Sequence, residues 1–165
     1  MLTVKVLDPS HDRKLFDCGN PSLNNFLAQY AGQYAKKGLA KTYILADDST
    51  PSKVLGFYSL SNLHIEPEVF NPNLKGFPTF INIPCCLIRR LAVDKHHKGQ
   101  GLSKHLLAHA LNTIIKLSTM SRISFAVVDA KSPDLISFYE RFGFKRIHET
   151  SLRMYLNITK LSSTA

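Results

Sequence analysis

The sequence has no apolar run approaching the ~20 residues that cross a bilayer, so no membrane-spanning helix is expected. Its opening segment, MLTVKVLDPSHDRK, carries charges where a secretory signal needs an apolar core, and a cytoplasmic location is expected. Cysteine is scarce: Cys18, Cys85 and Cys86 are an odd number with two adjacent, which is no disulfide framework, and no C-x-x-C pair offers a metal site. All three are expected to be small buried hydrophobes, and no metal is expected. Two nucleotide patterns are missing as well. There is no G-x-x-x-x-G-K-[ST], and the dinucleotide pattern G-x-G-x-x-G fails at its third glycine, where Lys104 stands. No repeat or low-complexity segment appears.

Negative charge is missing over long stretches. No carboxylate lies between Asp94 and Asp129, a span that holds Lys95, Lys98, Lys104, Lys116, Arg122 and four histidines. Between Asp17 and Asp47 the only formal charges are Lys36, Lys37 and Lys41. Lys and Arg total 21 against 12 Asp and Glu, a net charge of +9. Such asymmetry suits a polyanionic partner, nucleic acid above all, or a basic surface that serves solubility and cofactor phosphates.

At 165 residues and 44% hydrophobic composition, the chain is long enough to bury one core, and a single domain over residues 1–165 is expected. Leu2 to Leu7 alternates as a half-buried strand. Asn20 and Pro21 cap and open a helix, in which Leu23, Phe26, Leu27, Tyr30, Ala31 and Tyr34 form one apolar stripe; Gly38 supplies the stop. Thr42 to Ala46 and Val54 to His64 read as strands. Ile65 to Pro84, rich in Pro and Asn, reads as a long loop rimming an active site. Cys86 to Val93 is a central strand, followed by a helix with Leu102, Leu106, Ala110, Ile114 and Leu117 on one face. Ile123 to Val128 is a strand, Pro133 to Phe142 a short helix, and Lys145 to His148 and Arg153 to Ile158 close the sheet. The order β-α-β-β-β-α-β-α-β-β indicates an α+β fold, an α/β sandwich.

The most informative stretch is CLIRRLAVDKHHKGQGLSKHLL, from Cys86 to Leu107. A strand feeds a turn holding Gly99, Gln100 and Gly101, and a helix begins near Leu102. Unpaired N–H groups converge at such a helix start, the dipole adds positive potential, and glycine lets backbone approach an anion. Lys98 adds a full charge. Taken alone, the loop stays open between a diphosphate cradle and a plain glycine turn. His105 and His109 have metal-ligand spacing but no acidic third ligand nearby, and read as a solvated helix face. Glu66 and Glu68 could supply a general base from the rim loop, or form a solvated pair.

His96-His97-Lys98-Gly99-Gln100-Gly101 resembles the [RQ]-x-x-G-x-[GA] acetyl-coenzyme A loop of the GCN5-related N-acetyltransferase superfamily, with His96 departing from the usual Arg or Gln. SFYERFGF, from Ser137 to Phe144, matches the F-Y-x-x-x-G-F that closes the same site, in the expected order. The resemblance implies a central mixed, twisted sheet of about six to seven strands flanked by about four helices. It also implies acetyl-CoA as co-substrate, its diphosphate held by N–H groups from Gly99 through Gln100, Gly101 and Leu102 to Ser103. Leu91, Ala92 and Val93 would orient the pantetheine arm, with Phe138 and Tyr139 closing the site. The family often has Asn where Ser132 stands. Its tyrosine, here Tyr139, commonly protonates the departing thiolate; a phenol with pKa ~10 is protonated at neutral pH and can do so. Read from the residues alone, Leu135, Phe138, Tyr139 and Phe142 are equally one core stripe.

FDCGNPSLNNFL, the run Arg90-Leu91-Ala92-Val93-Asp94, HALNTIIKLS and SLRMYL resemble the acetyltransferase toxins of bacterial toxin–antitoxin pairs over nearly the whole chain. That resemblance implies acetylation of the α-amino group of an aminoacyl-tRNA, which blocks translation. An α-amine has pKa ~8, lowered further by esterification, so little base is needed. Lys36, Lys37, Lys41, Arg89, Arg90 and Arg153 are the candidates to grip tRNA phosphates. The implied partner is a ribbon-helix-helix antitoxin; a homodimer is left open. The alternatives are a housekeeping N-acetyltransferase acting on a small amine or protein N-terminus, and a non-enzymatic nucleic-acid-binding module.

Overall fold

The computed structural model describes residues 1–70, 74, 76–78 and 80–159. Seven strands form a mixed sheet: β1 (Leu2–Val6), β2 (Lys41–Asp47), β3 (Gly56–Ile65), β4 (Ile83–Val93), β5 (Phe125–Asp129), β6 (Lys145–Arg146) and β7 (Arg153–Asn157), in the order β1-β2-β3-β4-β5-β7-β6. Among the described residues there are four α segments: α1 (Pro21–Asn25), α2 (Ala31–Lys36), α3 (Leu102–Ser118) and α4 (Ile136–Glu140). The chain falls into two compact units, one from Met1–Ser61 with Arg89–Asn112, the other from Asn62–Ile88 with the residues from Thr113 on; β3, β4 and α3 contribute to both.

In the first unit, β1 pairs antiparallel with β2, and β2 with β3. Asn20 caps α1 as expected, its side chain accepting from the Ser22 and Leu23 N–H groups, with Pro21 in the first turn. Such a cap is worth ~1 kcal/mol over alanine. Phe16, Leu23, Phe26, Leu27, Ile44 and Phe57 form the core here. The stripe is not continuous, however. Phe26–Tyr30 is a π turn joining α1 to α2. One inserted residue rotates the rest of the helix by about 100°, so Ala31 is fully buried while Tyr30, expected on the stripe, is 44% exposed. Gly38 adopts φ +71° and ends the helix as expected.

The second unit is built on β5, which runs parallel to β4 from Cys85↔Phe125 to Ile88↔Val128 and antiparallel to β7 on its other side. Ile65, Phe70, Ile83, Leu87, Phe125 and Val127 form its core. β4 begins at Ile83, three residues before the expected start, because the aliphatic side chain of Ile83 is itself buried. β6 is only Lys145–Arg146, shorter than expected, and Ile147 turns inward to full burial. Of the expected loop over 65–84, Ile65 ends β3 and Ile83 and Pro84 open β4; among the described residues between them lies one 3₁₀ turn, Pro67–Val69, and residues 71–73, 75 and 79 lie outside the described residues. No helix among the described residues is long and apolar enough to cross a membrane.

Candidate active site

β4 ends at Val93 and Asp94 turns the chain. The Asp94 carboxylate accepts from the His96 N–H at 2.9 Å and caps the 3₁₀ turn Lys95–His97. Lys98 is extended and exposed, and α3 starts at Leu102. Between them, Gly99 and Gly101 have φ +83° and +75°, and no atom lies within 4 Å of where a Cβ would sit on either. Only the backbone conformation demands glycine there, and the space above it is open. His105 N–H donates to the Gly101 carbonyl at 3.1 Å, so the helix winds directly out of the turn. Its first turn carries no acidic residue. An open left-handed turn, an exposed lysine and the uncontested start of a 17-residue helix fit a diphosphate. Gly99, Gln100, Gly101, Leu102, Ser103 and Lys98 are the groups that would hold it. His96 is exposed beside them.

The turn is braced from the segment before α1. Asp17 Oδ2 lies 2.9 Å from Lys95 Nζ, Lys95 N–H donates to the Asp17 carbonyl at 2.8 Å, and Asp17 N–H donates to Asp94 Oδ2 at 3.3 Å. The hydrogen bonds from Lys95, Gly19 and Asn24 hold the Asp17 carboxyl far below the usual carboxylate range. No sequence motif announces this brace, since its halves are 77 residues apart.

Of the other cofactor candidates, Ala92 and Val93 are buried and Leu91 half-buried at the end of β4. β4 pairs with β5 only as far as Ile88, so Arg89–Val93 extend past that ladder. In the second unit, Tyr139 is 7% exposed on α4, its ring edge-on to Phe138 and Phe144 at 5.2 and 5.8 Å. Burial, reinforced by the Asp129 charge, raises its pKa. The phenol is thus protonated at neutral pH, the state a proton donor needs. Ser132 precedes the Pro133–Leu135 turn and is half-buried. Burial pushes the Cys85 and Cys86 thiols up to about 12, which removes them as nucleophiles.

The basic candidates divide. Lys36, Lys37, Lys41 and Arg89 are exposed, and Lys36 lines a groove of about 470 Å³ with Arg13, Gln29 and Gln33. Arg153 is committed to Asp129 through two bonds, Nε at 2.7 Å and Nη2 at 2.8 Å. Arg90 is half-buried, its guanidinium 3.5 Å from the centre of the Phe26 ring. His109 does not lie on a solvated face as the sequence suggested: it is half-buried and shares a 2.7 Å hydrogen bond with the Tyr58 hydroxyl. Its partner sits on β3, 51 residues away, beyond the reach of a helical-spacing argument. His105 is exposed, as are Glu66 and Glu68. No three His, Cys, Asp or Glu side chains gather as a metal site among the described residues.

A family model, described as an acetyltransferase (GNAT) domain, matches residues 38–146, a span that contains both the glycine turn and Tyr139. The chain belongs to the GNAT acetyltransferase family. This acetyltransferase is 27% identical to a probable toxin TacT of Sinorhizobium fredii over 97% of this chain and 93% of that one. It is 26% identical to a tRNA-acetylating toxin of Mycobacterium tuberculosis, over 84% and 81%. Among solved structures it resembles the toxin AtaT complexed with acetyl-methionyl-tRNAfMet, with 28% identity, 99% of both chains covered and a TM-score of 0.88. It also resembles a tyrosine-to-phenylalanine mutant of AtaT bound to the C-terminus of the antitoxin AtaR and acetyl-CoA, with 26% identity, 99% and 97% covered and a TM-score of 0.81. The seven-stranded mixed sheet is the fold expected of the family.

Proposed function

We propose that this acetyltransferase transfers the acetyl group of acetyl-CoA to the α-amino group of an aminoacyl-tRNA and so stops that tRNA from serving translation. The observation that carries the reading is the open Gly99–Gly101 turn feeding directly into α3, a diphosphate site with no competing carboxylate in the helix's first turn. The similarity to a tRNA-acetylating toxin and to AtaT in complex with an acetylated, charged tRNA supports the choice of amine.

Backbone N–H groups from Gly99 to Ser103, with Lys98, hold the diphosphate of the donor. Past Ile88, the β4 backbone at Leu91, Ala92 and Val93 presents N–H and C=O groups to the amide-bearing arm, as a strand edge does for an added strand. The neutral α-amine attacks the thioester carbonyl carbon, the C–S bond breaks, and the Tyr139 hydroxyl gives its proton to the departing sulfur. The proton lost by the amine goes to solvent, and solvent returns one to the Tyr139 phenolate; with an amine pKa at or below ~8, much of the substrate is already neutral. Phe138 packs against the Tyr139 ring and fixes it. His96 and Ser132 border the cofactor site, and Lys36, Lys37, Lys41 and Arg89 meet tRNA phosphates. All 165 residues act as one catalytic domain in the cytoplasm, where charged tRNA is found. A ribbon-helix-helix antitoxin restrains the enzyme, in keeping with the AtaR complex of AtaT.

The test is incubation with labelled acetyl-CoA and total charged tRNA, followed by ester hydrolysis and identification of the released product. An N-acetylated amino acid is expected. Label found only on free amines or protein N-termini would replace this reading with that of a small-amine or N-terminal acetyltransferase.

A further inference from the structure

Two segments far apart in sequence meet in the first unit: FDCGNPSLNNFL, from Phe16 to Leu27, and the end of β4 from Arg90 to Asp94. Side chains two residues apart on a strand share a face. Arg90 lays its guanidinium 3.5 Å from the centre of the Phe26 ring, and Ala92 is buried in the core that contains Phe26. The ring is itself fixed, stacked on Phe57 at 6.3 Å and edge-on to Tyr34 at 5.3 Å. Two residues further on, Asp94 is 6% exposed with both carboxylate oxygens engaged, Oδ1 by the His96 N–H and Oδ2 by the Asp17 N–H. Asp17 is in turn held by Asn24 of α1. Asn24 Nδ2 donates to Asp17 Oδ1 at 3.0 Å, and Asn24 Oδ1 accepts from the Cys18 N–H at 2.9 Å. The α1 segment and the π turn continuing it thus grip β4 at Arg90 and again, through Asn24 and Asp17, at Asp94 and Lys95.

These two grips flank Leu91, Ala92 and Val93, the residues that would carry the amide-bearing arm of the donor. The ladder with β5 stops at Ile88, so past it β5 does not hold that edge of the strand. Backbone that pairs with a ligand amide works only within the about 2.7–3.2 Å of an N–H···O bond, so its placement has to be fixed from elsewhere. Arginine suits that task. Its planar guanidinium packs flat on a ring face, which the compact ammonium of lysine does not reproduce. A phosphate contact needs the guanidinium nitrogens within reach of the ligand, yet Arg90 Nη1 is shut off from solvent.

We propose that Arg90 and Asn24 are positioning residues for the acetyl donor, holding the strand edge at Leu91–Val93 and the turn after it in register for the arm and diphosphate of acetyl-CoA. This rests on the acetyltransferase reading above and adds to it what sets the donor site. It also takes Arg90 out of the set of tRNA contacts.

The test compares Asn24→Ala, Arg90→Lys and Arg90→Gln with wild type, at a temperature where each is folded. The Kd for acetyl-CoA, kcat and KM with charged tRNA, Tm, and the salt dependence of binding to uncharged tRNA are measured. All three variants are expected to raise the Kd and KM for acetyl-CoA about tenfold, with kcat at saturating donor unchanged. Arg90→Lys keeps the charge but does not rescue, because the planar stack on Phe26 is gone. Arg90→Gln leaves the slope of log tRNA affinity against log salt as in wild type. Wild-type donor affinity in Arg90→Lys overturns the proposal, and so does a slope lowered by roughly one in Arg90→Gln with donor affinity kept, since Arg90 would then be reading phosphate. A lower Tm with wild-type donor affinity makes the contacts structural only and overturns it too. Asn24→Ala removes two hydrogen bonds and leaves the Phe26 stack in place, so wild-type donor affinity there overturns the proposal even where the Arg90 variants fold poorly. A wild type that binds acetyl-CoA but not tRNA refutes the tRNA reading alone, and one that binds no acetyl-CoA refutes both.

Discussion

Lys95 Nζ stands 2.9 Å from Asp17 Oδ2, and the same two residues are joined again through Lys95 N–H and the Asp17 carbonyl at 2.8 Å. This double link ties the segment entering α1 to the turn that precedes Gly99. An exposed ion pair by itself adds little to stability. Here the pair holds the turn proposed to bind the donor, so its loss is expected to fall on affinity. Asp17→Ala is expected to weaken acetyl-CoA binding about tenfold, the scale on which small displacements act at a site, with little change in Tm. Isothermal calorimetry beside thermal unfolding checks it.

The same residue gives a pH dependence. The Asp17 carboxyl titrates far below its ordinary value when folded, so its contribution is present above the unfolded pKa of ~3.9 and is lost as pH falls through the lower folded value. The difference in acetyl-CoA affinity between wild type and Asp17→Asn is expected to stay constant from pH 8 to about pH 5 and to shrink only in stronger acid. A difference that disappears between pH 6 and 7 would assign the brace to another group.

Gly101 sits at φ +75° with open space around it. Gly101→Ala meets no neighbour, so the whole penalty is the left-handed backbone, ~1–2 kcal/mol. The turn is expected to relax toward negative φ and carry its N–H away from the diphosphate. Acetyl-CoA affinity should fall about tenfold while α3 stays intact by circular dichroism.

Charge reversal of Lys36 and Lys37 to Glu is expected to weaken tRNA binding and lower the slope of log affinity against log salt by roughly two. The Kd for acetyl-CoA should not change. Both lysines are exposed at the end of α2, and neither belongs to the glycine turn. Binding titrations at several salt concentrations read both quantities.

Local signals made much of this legible beforehand. Alternation gave β1, Asn20 and Pro21 marked α1, and two glycines before an amphipathic run marked the turn that feeds α3. Each of those depends on residues a few positions apart. What escaped depends on distance or on phase. The π turn at Phe26–Tyr30 leaves no mark in composition, yet it moves Tyr30 off the buried stripe. His109 looked solvated because its partner, Tyr58, is on another strand. The packing of Arg90 on Phe26 and the pairing of Arg153 with Asp129 left no local mark either, since neither neighbour is close in sequence.

The most direct measurement is labelled acetyl transfer to charged tRNA by wild type and Tyr139→Phe side by side, with donor affinity determined for both. Removing a positioned proton donor costs about 10²–10⁴-fold in rate. The account predicts N-acetylaminoacyl-tRNA from wild type and no product from uncharged tRNA. It also predicts at least a hundredfold slower transfer by Tyr139→Phe at unchanged acetyl-CoA affinity. A Tyr139→Phe enzyme as fast as wild type, or a wild type that leaves charged tRNA unmodified, would contradict it.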